Sequence, residues 1–311
     1  MKFRRIAAQP WFRLALLGFF VAGAVWLLRQ RPEQLALLAR ISPREFTVLL
    51  LVSLLSFSMT ATASWYLLGV LGTGISWSEN LALTFLANFL NYFSPGQPGL
   101  GAKALYLKRT MNTSYTDVAV LTATNAILML SVTGVSGLSI VAWLAIRRGL
   151  ILHELGIVSL TSIALAAVLP VLARVLPPPT DGLGGWRRLV GNGWNGCRRL
   201  WSRPRVLATS TLIVLLQYAV SAVSIMLSYA LVGKGLDYLP AFLIAAFLSV
   251  ANLFPVTPNN IGVFELVLAT AAQLSGAEFS VGLIAAGILR LYHLLLCVLA
   301  LPFVSWKLHR H

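Results

Sequence analysis

Acidic residues are scarce in this chain. Nine Asp and Glu stand against 24 Lys and Arg among 311 residues, a formal net charge of +15. Most of the acids lie singly at the ends of apolar runs (Glu33, Glu45, Glu79, Asp117, Glu154, Asp181, Asp237, Glu278). That scatter excludes the acid-clustered loop of a metal-dependent glycosyltransferase and the paired carboxylates of general acid–base chemistry. Cysteine is rarer still. Cys197 in a basic loop and Cys297 in an apolar run offer neither metal-ligand spacing nor a disulfide framework. Nucleophile-elbow, zinc and Walker signatures are all missing. The chain is therefore expected not to be an enzyme, and no cofactor or metal is expected.

Charge of either sign is low. Only 11% of residues are Asp, Glu, Lys or Arg, against roughly 25% in soluble domains. Hydrophobic residues make up 58%, and the mean hydropathy is +0.82. This composition predicts an all-α polytopic membrane protein, with no room for a separate soluble catalytic module. The basic residues sit mostly in short loops, where the positive-inside rule and anionic headgroups account for them. Nucleic acid is not an expected partner.

Apolar runs long enough to span a bilayer are expected at about 12–28, 45–71, 116–146, 154–174, 206–232 and 279–304. The basic start and apolar run of residues 2–28 look like a signal peptide, but apolar sequence continues, so this run reads as an uncleaved first helix. Ser42-Pro43 followed by Glu45 is a helix-start signal. Gly134 and Gly137 suit close helix packing or a kink. Residues 175–205 interleave Trp186, Trp194 and Trp201 with Arg187, Arg188, Arg198 and Arg199. This reads either as a basic amphipathic segment at the interface or as a plain cytoplasmic loop, with Gly191, Gly193 and Gly196 weakening the helix.

Two apolar stretches are interrupted by the same kind of polar break. The first runs Asn91-Tyr92-Phe93-Ser94-Pro95-Gly96-Gln97-Pro98-Gly99-Leu100-Gly101, and the second Asn252-Leu253-Phe254-Pro255-Val256-Thr257-Pro258-Asn259-Asn260-Ile261-Gly262. Each has Asn, an aromatic, Pro-x-x-Pro and then Gly. Backbone broken at membrane depth must be buried in protein or line a wet cavity, and paired breaks in corresponding halves point to a transporter's binding site. The flanking apolar pieces are short, which predicts two re-entrant hairpins beside about six full spans. The competing reading joins two full spans through an ordinary turn at each break. With both termini in the cytoplasm, the hairpins enter from opposite sides, as in an inverted repeat with halves at about 45–174 and 206–305. Arg29 to Arg44 then fall outside, against the charge rule.

Helix N-termini at the breaks, near residues 99–101 and 260–262, would offer N–H groups to phosphate. Asn91, Gln97, Asn252, Asn259 and Asn260 add neutral donors and acceptors. Pro95, Pro98, Gly101, Pro255, Pro258 and Gly262 are the structural breaks. Lys103 reads equally as a phosphate contact or a snorkelling lysine. Glu265 is a counter-ion, a proton carrier, or an acid favoured by a helix N-terminus. Arg290, in the middle of the last span, suits bidentate phosphate binding or a salt bridge to Glu265. His293 shares its helical face and reads as a packing residue.

At these residues the chain resembles the lysylphosphatidylglycerol synthase transmembrane-region family of flippase-like domains, over roughly 10–305. Asn91 to Gly101 with the trailing Ala104-Leu105-Tyr106-Leu107-Lys108-Arg109, the run Pro255-x-x-Pro258-x-x-x-Gly262-x-x-Glu265, and Arg290 carry the resemblance. The chain departs from the family pattern at Gly101-Ala102-Lys103, at Thr124-Asn125, and at Asn259-Asn260, which stand where paired glycines are usual. The resemblance implies movement of lipid between leaflets. The expected substrate is an anionic or phosphate-bearing lipid, such as an aminoacyl phospholipid or a polyprenyl-phosphate-linked sugar, made by another enzyme. The alternative is a lipid-binding membrane partner of a glycosyltransferase or lipid synthetase. A lipid-modifying enzyme is a third reading.

Overall fold

The computed structural model describes residues 42–92, 97–148, 153–175, 186–253, 258–274 and 277–309. Every regular element among them is helical. The chain divides into two compact units, 1–46 and 47–311, and the second carries all that follows except the start of the first helix. The expected span at 12–28 lies outside the described residues, as do Pro95 and Pro255.

Helix α1 (Pro43–Val70) begins where the sequence signal placed it. The Ser42 hydroxyl accepts from the Glu45 amide at 3.3 Å, and the Glu45 carboxylate accepts from the Ser42 amide at 2.9 Å. This reciprocal capping box satisfies two amides that the first turn leaves without helical partners. The link 71–76 turns on Gly72 (φ +90°), where only glycine is unstrained. Helix α2 (Trp77–Asn91), the first break, α3 (Pro98–Thr110) and α4 (Tyr115–Arg148) follow, and then α5 (His153–Val175) and α6 (Trp186–Trp201). The same order then recurs. Helix α7 (Pro204–Leu231) matches α1 in length, the link 232–237 turns on Gly233 (φ +77°), and α8 (Tyr238–Ala251), the second break, α9 (Val263–Leu274) and α10 (Phe279–Leu299) complete it. Helix α11 (Leu301–Leu308) ends the described chain.

Among the described residues four helices are long and apolar enough to cross a membrane: Pro43–Val70, Tyr115–Trp143, Pro204–Leu231 and Phe279–Leu299. The run at 154–174 is helical as α5, with Pro170 inside it, but is not among those four. The pieces beside the breaks have 15, 13, 14 and 12 residues. At 1.5 Å per residue each covers about 18–23 Å, short of the roughly 30 Å hydrocarbon core.

The last expected span, 279–304, is corrected by the structure. Helix α10 ends at Leu299 and α11 starts at Leu301. Pro302 is the cause: it lacks an amide hydrogen and its ring opposes the carbonyl four residues back, so it is accommodated in the first turn of a new helix. Residues 186–201 do form a helix, despite their glycines. Leu200 and Trp201 are buried, Trp194 and Cys197 pack on the same core, and Arg198 and Arg199 stay exposed. Gly196 lets α6 lie close to Val120 of α4.

Glycines also set the hairpin contacts. A Cβ on Gly99 would strike the backbone of Ala87, and one on Gly282 the backbone of Leu268 and Ala269. The first fastens α3 to α2, and the second fastens α10 to α9. Gly134 and Gly137 serve packing rather than a kink, since both face Ser159 of α5. Because backbone cannot retreat as a flexible side chain does, Gly282→Ala should destabilise the protein by about 1–3 kcal/mol. Gly101→Ala, with nothing within 4 Å of the added Cβ, should be neutral or stabilising by up to about 1 kcal/mol. Thermal unfolding of the two variants in detergent, side by side, checks this.

Candidate functional site

The two breaks differ in sequence but solve the same problem, that of backbone groups with no helical partner. At the first, Gln97 caps α3 in the left-handed region (φ +55°) and Pro98 takes the first helical position. The Asn91 side chain, at the end of α2, accepts from the Gly99 amide at 2.9 Å. At the second, the side chain of Asn252, just past α8, accepts from the Asn260 side-chain amide at 2.8 Å, and that same amide donates to the Ala251 carbonyl at 3.1 Å. In both cases an asparagine at the end of the entering helix clamps a group eight residues on. Asn260 is only 3% exposed.

Asn259 (φ +45°), Asn260 (φ +54°) and Gly262 (φ +94°) all occupy the left-handed region. Outside glycine, Asn is among the residues most tolerant of that conformation. The two asparagines thus meet the backbone requirement that paired glycines would meet, and each also places a side-chain amide. Pro258 opens the 3-10 turn Pro258–Asn260 that carries both asparagines.

Arg290 fastens this turn. It projects from α10, 14% exposed, and donates through Nη1 to the Asn259 carbonyl at 3.1 Å and through Nη2 to the Asn260 carbonyl at 3.0 Å. Its Nη2 also donates to the Glu265 carboxylate at 3.2 Å, and its Nε is ion-paired with the other carboxylate oxygen. The guanidinium lies over the Phe264 ring, 4.8 Å from the centroid. Glu265 at the same time accepts from the Gly262 amide at 2.7 Å. Pairing with a cation and favouring a helix N-terminus, separate readings in the sequence, are therefore both realised in one carboxylate.

The breaks also touch each other. The Gln97 side chain donates to the Asn252 carbonyl at 2.7 Å. The Tyr92 hydroxyl reaches the Asn259 side chain. Beside this junction lies a cavity of about 250 Å³ walled by α1, α2, α4, α7, α8, α9, α10 and the second break. Tyr92, Asn252, Asn259, Arg290 and His293 line it. His293 packs edge-on to Phe57, with ring centroids 5.6 Å apart, as a packing residue does.

Lys103 lies elsewhere. It is 9% exposed, points at Ser64 of α1 with Nζ–Oγ 3.0 Å, and does not line the cavity. Asn80 donates to the same hydroxyl, and Tyr106 donates to Glu79 nearby on α2. Asn91, Gln97, Asn260 and Glu265 hold the breaks without lining the cavity, and Gly101 is exposed on α3. Sequence reasoning missed most of the polar wall. Gln217, Ser221 and Ser224 share one face of α7, Ser56 and Thr60 one face of α1, and Asn88 stands one turn before Tyr92. The i, i+4, i+7 spacing of small polar residues inside apolar helices was the available signal.

The profile of the lysylphosphatidylglycerol synthase TM region matches residues 11–300. The chain belongs to that family, and it is a multi-pass membrane protein of a lipid-handling group. Among curated proteins none matches it.

Two expectations follow from the geometry. In a double-mutant cycle, Arg290→Ala and Glu265→Ala should couple by about 1–3 kcal/mol, read from thermal or denaturant unfolding in detergent. Full additivity would mean that the pair does not hold the break. At position 259, Asn259→Ala should be less stable than Asn259→Gly by about 1 kcal/mol, because alanine lacks both glycine's freedom and asparagine's tolerance at positive φ.

Proposed function

From the family and from the cavity, we propose that this protein is a lipid flippase of the bacterial inner membrane. The observation that carries the reading is the convergence of both breaks and of helices from both halves of the chain on one cavity, partly walled by polar side chains, beside a mid-helix arginine. Each flanking helix is too short to cross alone, which supports re-entrant hairpins rather than surface turns. The recurring helix order supports one transmembrane domain with an inverted repeat at about 45–174 and 206–305. A lipid headgroup enters the cavity while its tails stay in the bilayer, and one half rocks against the other to change access.

Arg290 and Glu265 hold the second break in shape for this cycle, and Gln97 to Asn252 is the tie between the halves. The exposed arginines of α6 lie at the cytoplasmic headgroup layer, with both termini on that side. The lipid moves with a coupled ion or down its own gradient.

The test is a leaflet assay in proteoliposomes with headgroup-labelled lipids. Wild type should expose label from the inner leaflet. Ser221→Leu, which fills the cavity without touching the ion pair, should slow exposure by about tenfold or more, a barrier change of roughly 1.4 kcal/mol. Arg290→Ala should abolish it. Lipid that stays in one leaflet with wild type, across phospholipids, polyprenyl-phosphate lipids and neutral glycolipids, would overturn the reading in favour of a binding partner for a lipid-synthesising enzyme or glycosyltransferase.

A further inference from the structure

The hydrogen-bonding inventory of the cavity narrows the headgroup, on the reading that the cavity receives a lipid. We propose that it binds an uncharged, polyhydroxylated headgroup, the single sugar ring of a glycolipid. Charge is the first argument. Among the described lining residues Arg290 is the one Asp, Glu, Lys or Arg, and its charge is already balanced by Glu265. A phosphate or an ammonium entering this site would bring a charge with no free counter-charge to meet it, in surroundings where an unpaired charge is costly.

The second argument is donor supply. Gripping a phosphate by an arginine fork takes two parallel N–H groups on one edge. All three guanidinium nitrogens of Arg290 already face oxygens of Asn259, Asn260 or Glu265, which leaves at most one of its five N–H groups. The hydroxyls do not make up the shortage. Thr60, Ser224 and Ser249 each donate to the carbonyl four residues back in their own helix. A hydroxyl that has spent its proton this way offers only lone pairs to the cavity. Asn88 gives one of its two amide N–H groups to the Thr84 carbonyl and keeps the other N–H and its amide oxygen. Ser56 and Ser221 bond each other, which leaves one hydroxyl proton between them.

The wall therefore offers acceptors and amide donors together, and no free charge. A phosphate ester, which only accepts, leaves those acceptors unmet. Sugar hydroxyls, which donate as well as accept, fit both. Gln217 completes the match, since its amide lines the cavity and makes no hydrogen bond among the described residues, so it can both give and receive. Size agrees. About 250 Å³ is below the roughly 300–1,000 Å³ of pockets that enclose drug-sized ligands, and suits one ring with the tails left outside.

Native mass spectrometry of the full chain in detergent tests this with three lipids sharing the same diacyl tails: monohexosyl-diacylglycerol, phosphatidylglycerol and lysyl-phosphatidylglycerol. The hexosyl lipid should be retained at least about tenfold better than either charged lipid. Its retention should fall with Gln217→Met, which keeps the side chain's length and loses its amide, while both charged lipids are unaffected. Better retention of either charged lipid by wild type overturns the proposal without any variant having to fold, as does equal retention of all three. Unchanged hexosyl retention in a folded Gln217→Met also overturns it. Selective retention without leaflet movement would leave this inference standing and remove only the flippase reading.

Discussion

A chain that stops being helical among apolar neighbours leaves carbonyls and amides that only the protein itself can satisfy, and Arg290 is where this protein meets that constraint most fully. Its guanidinium takes two free carbonyls of the left-handed turn and the carboxylate that caps the following helix. Glu265 in turn serves the Gly262 amide and neutralises the cation. Removing either member leaves a charge and one or more backbone groups without partners at once. The helices around the cavity are placed by this turn: α9 starts from it, α10 supplies the arginine, and α8 ends one clamp away at Asn252.

Among its described residues the first break has no equivalent ion pair and relies on neutral groups. Asn91 clamps Gly99, Gln97 crosses to the Asn252 carbonyl, and Gly99 brings α3 against the backbone of Ala87. Its buried cation, Lys103, sits deeper along α3 against Ser64 and Asn80 rather than at the turn. The two halves therefore share an order of elements without sharing their electrostatics. One break is locked by charge-assisted bonds, the stronger kind, and the other by single neutral bonds of about 1 kcal/mol each.

Much of this was legible in the sequence because membrane solvation makes strong demands. Composition, run length and the capping signal at Ser42 placed most of the helices to within a few residues, and the doubled Asn, aromatic, Pro-x-x-Pro pattern located both breaks. The pairing of Arg290 with Glu265 was one of two readings, since spacing alone does not say whether a mid-span arginine meets an acid or a ligand. The break of the last helix at Ala300 was missed because Pro302 lies inside an unbroken apolar run and hydropathy does not register a lost amide. The serines and threonines of α1 and α7 were missed for a related reason: small hydroxyls bonded to their own helix barely disturb hydropathy, and which face they share matters only once the partner helices are in place.

That last property bears on how a site can exist in an apolar bundle at all. A wall of charged residues would have to be solvated or paired when empty, and would hold a charged headgroup too tightly to release it. Hydroxyls bonded back to their own helices carry no such demand. Their protons are satisfied whether or not a ligand is present, and their remaining lone pairs are exposed in a cavity rather than buried against hydrocarbon. The cost of keeping the site ready is small, and each contact it offers a guest is a neutral hydrogen bond, individually weak. Passage through a membrane needs binding favourable enough to enter and weak enough to leave. On the proposed reading, a fixed ion pair that shapes the backbone stands next to a neutral wall that meets the guest, which separates the two tasks that a single free arginine would have to perform together.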